Sequence, residues 1–282
     1  MVYARRGAGG VWMGESGGGS QVGSEGEVER ASFMRAAGEG FLPEEAARSP
    51  WSAQAINGFG IAGLLTQAAE HVAAPAPMLP ARITIEILGP VPFARVSTEA
   101  EVVRSGRSYE IVESRLIAED RVLARARTLR AREAASPALA APSGYPPPEA
   151  CRDAFLPPDH PLSALIETRA ARGAFGQLGG AAAWTRMKGD LVAGQPVYGT
   201  VHAAMVSDLG HGLARAVEGG AWTFANLDIA LHMVRRPVGE WILVDSEVML
   251  QGLGVGLTNV TLADRAGVFA KAHQTLLISS TP

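Results

Sequence analysis

The chain has 282 residues, of which 47% are hydrophobic and 19% charged, and its net charge is −3. That length makes one large domain or two of ordinary size, either of which buries a core without covalent staples. The single cysteine, Cys151, excludes a disulfide framework and a cysteine-built zinc or iron–sulfur site, and the slight acidity argues against a general affinity for nucleic acid.

Residues 1–30 are rich in Gly and Ser and poor in large apolar side chains. Such a stretch buries too little surface to offset its ordering entropy, so a disordered tail is expected. Arg5 and Arg6 lead into Gly and Ser rather than into an apolar segment, and no apolar run reaches the ~20 residues of a spanning helix. Neither a secretory signal nor a membrane span is expected, and the chain reads as soluble and cytoplasmic. Over residues 55–72, Ile56, Phe59, Ile61, Leu64, Leu65, Ala68 and Ala69 recur at helical spacing. Gly58, Gly60 and Gly63 in that helix leave room for another backbone to approach.

After Pro80 the period becomes two: Ile83, Ile85 and Ile87 alternate with Arg82, Thr84 and Glu86, as in a half-buried strand. Further alternating runs cover 95–104, 108–118 and 122–130, with turn signals at Ser105-Gly106 and Glu119-Asp120. Long strands joined by tight turns make an antiparallel meander. Residues 133–160 are rich in Pro and Ala and read as a linker stiffened by proline.

The order then repeats. A strand is expected over 183–187, a helix over 197–217, and strands over 223–234, 241–250, 256–263 and 268–278. The run from Val122 to Thr128 lies over the run from Val268 to Gln274, and nearly the same offset brings Pro90 onto Pro237. A helix followed by a meander, met twice, is an internal duplication. A long helix wrapped by a curved antiparallel sheet is the hotdog fold. The chain is therefore expected to be an α+β double hotdog, with copies over 31–132 and 161–282.

Two motifs fail on context. Gly14-Glu15-Ser16-Gly17-Gly18 fits the G-x-S-x-G nucleophile pattern, but that chemistry needs a sharp strand-to-helix turn, and this serine sits in the Gly-rich tail. Gly252, Gly254 and Gly256 resemble a phosphate loop loosely, yet a strand follows, so glycines relieving a bend is the better account. No Walker A motif and no paired histidines at metal-ligand spacing occur.

Three polar residues fit their surroundings poorly. Asp208 falls in a predicted helix among Ala203, Ala204, Met205, Val206 and Leu209. Aspartate is a poor helix-interior residue and costly to bury unpaired. It is either a carboxylate held inward to activate a water or a solvated side chain. His211, three residues on, shares its helix face. Gln274 has the strand parity of Ala272 and Leu276, so it faces apolar neighbours, where an amide needs hydrogen-bond partners. Thr128 stands at its place in the first copy, which favours the C-terminal half as the seat of a site. Asn226 shares parity with Asp228 and His232, on a solvent face or in a site.

Pro50-Trp51, Ile56-Asn57-Gly58, Arg82, Pro90-Val91-Pro92 and Arg104-Ser105-Gly106-Arg107-Ser108 resemble the N-terminal half of TesB-like acyl-CoA thioesterases. Ser207-Asp208, Asn226-Leu227-Asp228, Arg236-Pro237, Glu240-Trp241 and Ala272-His273-Gln274 resemble their C-terminal half. The resemblance spans residues 30–280. It implies that an aspartate in the helix, a Thr or Ser opening the next strand and a glutamine on the last strand activate a water against the thioester carbonyl. These roles fall on Asp208, Asn226 and Gln274, and Asn226 departs from the pattern because it brings no hydroxyl.

The resemblance further implies an acyl-CoA or other acyl thioester substrate, no metal or cofactor, and assembly into a homodimer or larger homo-oligomer. Two other readings remain open at this point. One is a non-catalytic acyl-CoA-binding hotdog, favoured by Asn226. The other is a hotdog hydratase or dehydratase using Asp208 with His211.

Overall fold

The computed structural model describes residues 30–280 except 51, 152, 198 and 218–220. The Gly14–Gly18 motif, Trp51 and all but Arg30 of the expected tail lie outside the described residues.

The chain opens with a hairpin of β1 (Ser32–Ala37) and β2 (Gly40–Pro43), followed by α1 (Gly58–His71). A meander follows: β3 (Met78–Ile87), β4 (Ser97–Arg104), β5 (Tyr109–Ala118) and β6 (Arg121–Arg132). Beyond it come β7 (Ile166–Arg172), β8 (Ala181–Met187), β9 (Asp190–Val192) and β10 (Gln195–Pro196). Two short helices, α2 (Gly199–Ser207) and α3 (Gly210–Leu213), precede β11 (Trp222–Asn226) and β12 (Asp228–Met233). The chain closes with β13 (Trp241–Leu250), β14 (Val255–Asp264) and β15 (Gly267–Ser280).

One large sheet runs β4-β5-β6-β3-β12-β15-β14-β13-β8-β7, with β11 also paired to β15. The two halves meet where β3 and β12 pair antiparallel, Thr84 opposite Ala230. The shift that carries Thr84 onto Ala230 also carries β5 onto β14, end to end. It carries the pair Val112–Thr128 onto Thr258–Gln274, and Glu101–Glu113 onto Glu247–Asn259. Both meanders thus share one register, about a local two-fold axis through the Thr84–Ala230 pair. The protein is an α+β double hotdog.

Local chemistry explains the elements that position the site. Asn57 caps α1, its Oδ1 accepting the Gly60 N–H at 2.8 Å. α1 packs on α2 and on β4, β5 and β6. Gly63 permits the helix contact, since a Cβ there would lie 2.8 Å from Leu191 Cδ1 and 3.0 Å from Met205 Cγ. The β5–β6 turn falls on Glu119 and Asp120, both in the left-handed region with φ of 51° and 56°. The core joins both halves, Phe33, Phe59, Leu64, Ile83 and Leu116 packing with Met205, Leu231, Leu262 and Phe269.

Some expected elements differ. The single helix expected over 197–217 is two short ones, interrupted at Asp208 and Leu209. The strand expected over 223–234 is interrupted at Leu227, whose N–H turns to the Thr275 carbonyl. The hairpin of β1 and β2 and the strands β7, β9 and β10 were not legible. β1 pairs parallel with β9, a contact between halves that local patterning cannot encode.

Candidate active site

The interruption between α2 and α3 builds the site. At the end of α2 the Ser207 hydroxyl turns back onto the Ala203 carbonyl at 2.7 Å. The amides of Asp208 and Leu209 then close tight turns onto the Met205 and Val206 carbonyls. Helix ends leave carbonyls and N–H groups without intrahelical partners. Gln274 satisfies them across the gap: its Nε2 donates to the carbonyls of Ser207 (3.0 Å) and Asp208 (3.2 Å), and its Oε1 accepts the His211 N–H (3.0 Å). Gln274 is fully buried. Gly210 makes this approach possible, because a Cβ there would overlap the Val260 side chain and sit 3.0 Å from Gln274 Oε1. Ser246 adds a hydroxyl to the Gly210 carbonyl at 2.8 Å.

Asp208 is thereby aimed inward and is only 6% exposed. Its Oδ1 accepts from Asn226 Nδ2 at 2.7 Å, and Asn226 ends β11 opposite Leu276. Burial pushes the carboxyl above the ordinary aspartate range, against the opposing pull of His211 and the Asn226 amide. The carboxylate lies against the first turn of α1, since a Cβ on Gly58 would overlap it. The amides of Gly58 and Phe59, at the positive end of the helix, have no intrahelical acceptor.

These groups face a cavity of about 320 Å³. Phe59, Phe155, Leu156, Leu213 and Phe224 give it an apolar wall, with Arg48, His160 and Arg215 around it. The structure brings Asp208 and Asn226 to this cavity, with Gln274 behind them on the main chain. His211 also lines it, its ring edge-on to Phe224 at 5.8 Å and 80°. The shared helix face expected of Asp208 and His211 does not exist, because the helix stops between them. The α1 N-terminus was missed by sequence reasoning, although Asn57-Gly58, a capping residue and a glycine at a helix start, carried its signal.

The first half has no such arrangement at the equivalent place. Thr128 is buried and its Oγ1 has no hydrogen-bond partner. Arg130, two residues on, instead donates to the Val72 carbonyl beyond α1 at 2.6 Å and pairs with buried Glu110 at 2.9 Å. Among the described residues no group of three or more His, Cys, Asp or Glu could hold a metal ion. No described helix is long and apolar enough to cross a membrane.

Comparison with known proteins agrees with this architecture. Among curated proteins no sequence matches. A hotdog-fold protein of unknown function from Alicyclobacillus acidocaldarius superposes with a TM-score of 0.68 at 16% identity, over 88% of this chain and 96% of its own. The tesB protein of Mycobacterium avium subspecies paratuberculosis gives 0.65 at 19% identity, over 88% and 96%. The acyl-CoA thioesterase II TesB2 of Mycobacterium marinum gives 0.63 at 19% identity, over 79% and 89%. Sequence-family models of the acyl-CoA thioesterase N-terminal and C-terminal domains match residues 47–131 and 142–278. With both domain types present in order, the chain belongs to the acyl-CoA thioesterase family.

Proposed function

We propose that the protein hydrolyses acyl-CoA thioesters by attack of a water held at Asp208. The observation that carries this reading is a buried aspartate, tied at one oxygen to Asn226, at the edge of an apolar cavity and against the start of α1. The free Oδ2 takes the proton of the attacking water. A carboxyl raised by burial is a better base near neutral pH than an ordinary one. Asn226 orients the carboxylate and needs no hydroxyl to do so. Gln274 acts through the main chain of Ser207, Asp208 and His211 and is a positioning residue. The Gly58 and Phe59 N–H groups, at the start of α1, donate to the developing oxyanion. The apolar wall takes the acyl group.

The same reading extends to organisation. Residues 31–132 and 161–282 act as two hotdog units joined by 133–160, in a cytoplasmic enzyme that assembles at least as a dimer. Light scattering giving 29.4 kDa, the mass of one chain, would refute the assembly. The activity is tested with purified protein on acyl-CoAs of graded length, following free thiol. Asp208→Asn should slow hydrolysis by ~10²–10⁴, the worth of a positioned general base. Binding of acyl-CoA without turnover by the parent protein would mark a binding module instead.

A further inference from the structure

We propose that His211 is a second catalytic residue of this site, the general acid that protonates the departing thiolate. This rests on the reading of Asp208 given above and goes beyond it. Three observations carry it. The His211 side chain is more than nine-tenths buried, yet its imidazole makes no hydrogen bond to a described residue, and its Nδ1 is buried without a partner. The other ring nitrogen, Nε2, also has no partner among the described residues but is not sealed off, so it is the one that a ligand in the cavity can reach. The ring lines the same cavity as Asp208 and is close enough to act on its carboxyl electrostatically. One amide fixes the two relative to each other: Gln274 donates to the Asp208 carbonyl and accepts the His211 N–H.

The other charged or titratable groups at the cavity each make at least one hydrogen bond or ion pair with the chain. His160 Nδ1 accepts the Leu162 N–H at 3.2 Å. Arg48 is paired with Glu45, and Arg215 donates to the carbonyls of Gly176 and Val217. Imidazole is the side chain most often used as a general acid or base.

The step balances. A water O–H bond breaks, its proton passing to Asp208 Oδ2 as the oxygen bonds to the thioester carbon. The C–S bond then breaks, and sulfur takes a proton from the His211 imidazolium. Carboxylic acid and thiol leave, and the proton on Asp208 passes to the imidazole to reset the pair.

The test uses leaving groups. An alkyl thiolate such as that of coenzyme A leaves poorly and needs the proton; an aryl thiolate of low basicity does not. The full chain and its Asp208→Asn, His211→Ala and His211→Gln variants are assayed on an acyl-CoA and on the S-aryl thioester of the same acyl group. Both His211 variants should slow the acyl-CoA by ~10²-fold or more. The S-aryl thioester should slow by less than about fivefold, which also shows that the variants are folded. Asp208→Asn should slow both substrates. Equal slowing of both substrates by either His211 variant, or none, would overturn the role of His211 and leave that of Asp208 standing. A parent protein that hydrolyses neither, or an Asp208→Asn variant as fast as the parent, would overturn the reading on which this one rests.

Discussion

Gln274→Met tests the organisation of the site most directly. Methionine keeps the volume and flexibility of glutamine but removes its donors and acceptor. Three main-chain groups then lose their partner: the Ser207 and Asp208 carbonyls and the His211 N–H. A buried polar group left unpaired costs about 1–3 kcal/mol, and a carbonyl is tolerated somewhat better than an N–H. The sum is roughly 3–6 kcal/mol, a large share of the ~5–15 kcal/mol that holds a typical domain together. Urea unfolding should show it as a midpoint lowered by about 1–2 M, with the slope unchanged. The control is Thr128→Val at the equivalent place in the first half, where a buried hydroxyl without a partner is replaced by an isosteric methyl. That change should be neutral or stabilise by up to about 1 kcal/mol. A Gln274→Met variant within ~0.5 kcal/mol of the parent would refute the bracing role.

Other expectations follow from the same geometry. Gly58→Ala should lower kcat by more than ~10-fold with little loss of melting temperature, because its methyl displaces the Asp208 carboxylate while alanine is the better helix former. Asp208→Asn should raise the melting temperature at pH 7–8. The folded carboxyl is raised, so stability is greatest below its unfolded value of 3.8 and falls as pH rises through the folded one; the variant's gain should fade toward acid. His202 is held down to about 4 from 6.5 by burial, so it contributes stability above pH 6.5 that is lost as pH falls to about 4. That loss is roughly 3 kcal/mol, and His202→Leu should flatten it in acid-unfolding curves.

The fold was legible because the long strands alternate and because the last strands of the two halves overlay. Parity placed Gln274 among apolar neighbours, and composition made Asp208 conspicuous. The break after Ser207 was not legible, because residues far along the chain make it: Gln274 supplies the hydrogen bonds that an unbroken helix would have made for itself. The part played by Gly58 was hidden for a similar reason. A glycine at the start of one helix has meaning only once the carboxylate of the other half lies against it. Pairing of β1 with β9 is likewise a long-range choice, made by short strands with weak local signals.

The duplication also explains why the site occurs on one side. The same shift relates Thr128 to Gln274, so each half has one buried polar position at the same place in its meander. In the first half Arg130 donates to the Val72 carbonyl just past α1 and pairs with Glu110, and α1 runs unbroken for 14 residues. In the second, the glutamine stops α2 after 9 residues and turns an aspartate inward. An inward carboxylate needs compensation, and the start of α1, against which it lies, offers a positive helix end. The first half thus supplies an unbroken helix whose start lies against the site, and the second an acid at a helix break. Either half alone would lack one of the two parts that the chemistry proposed here requires.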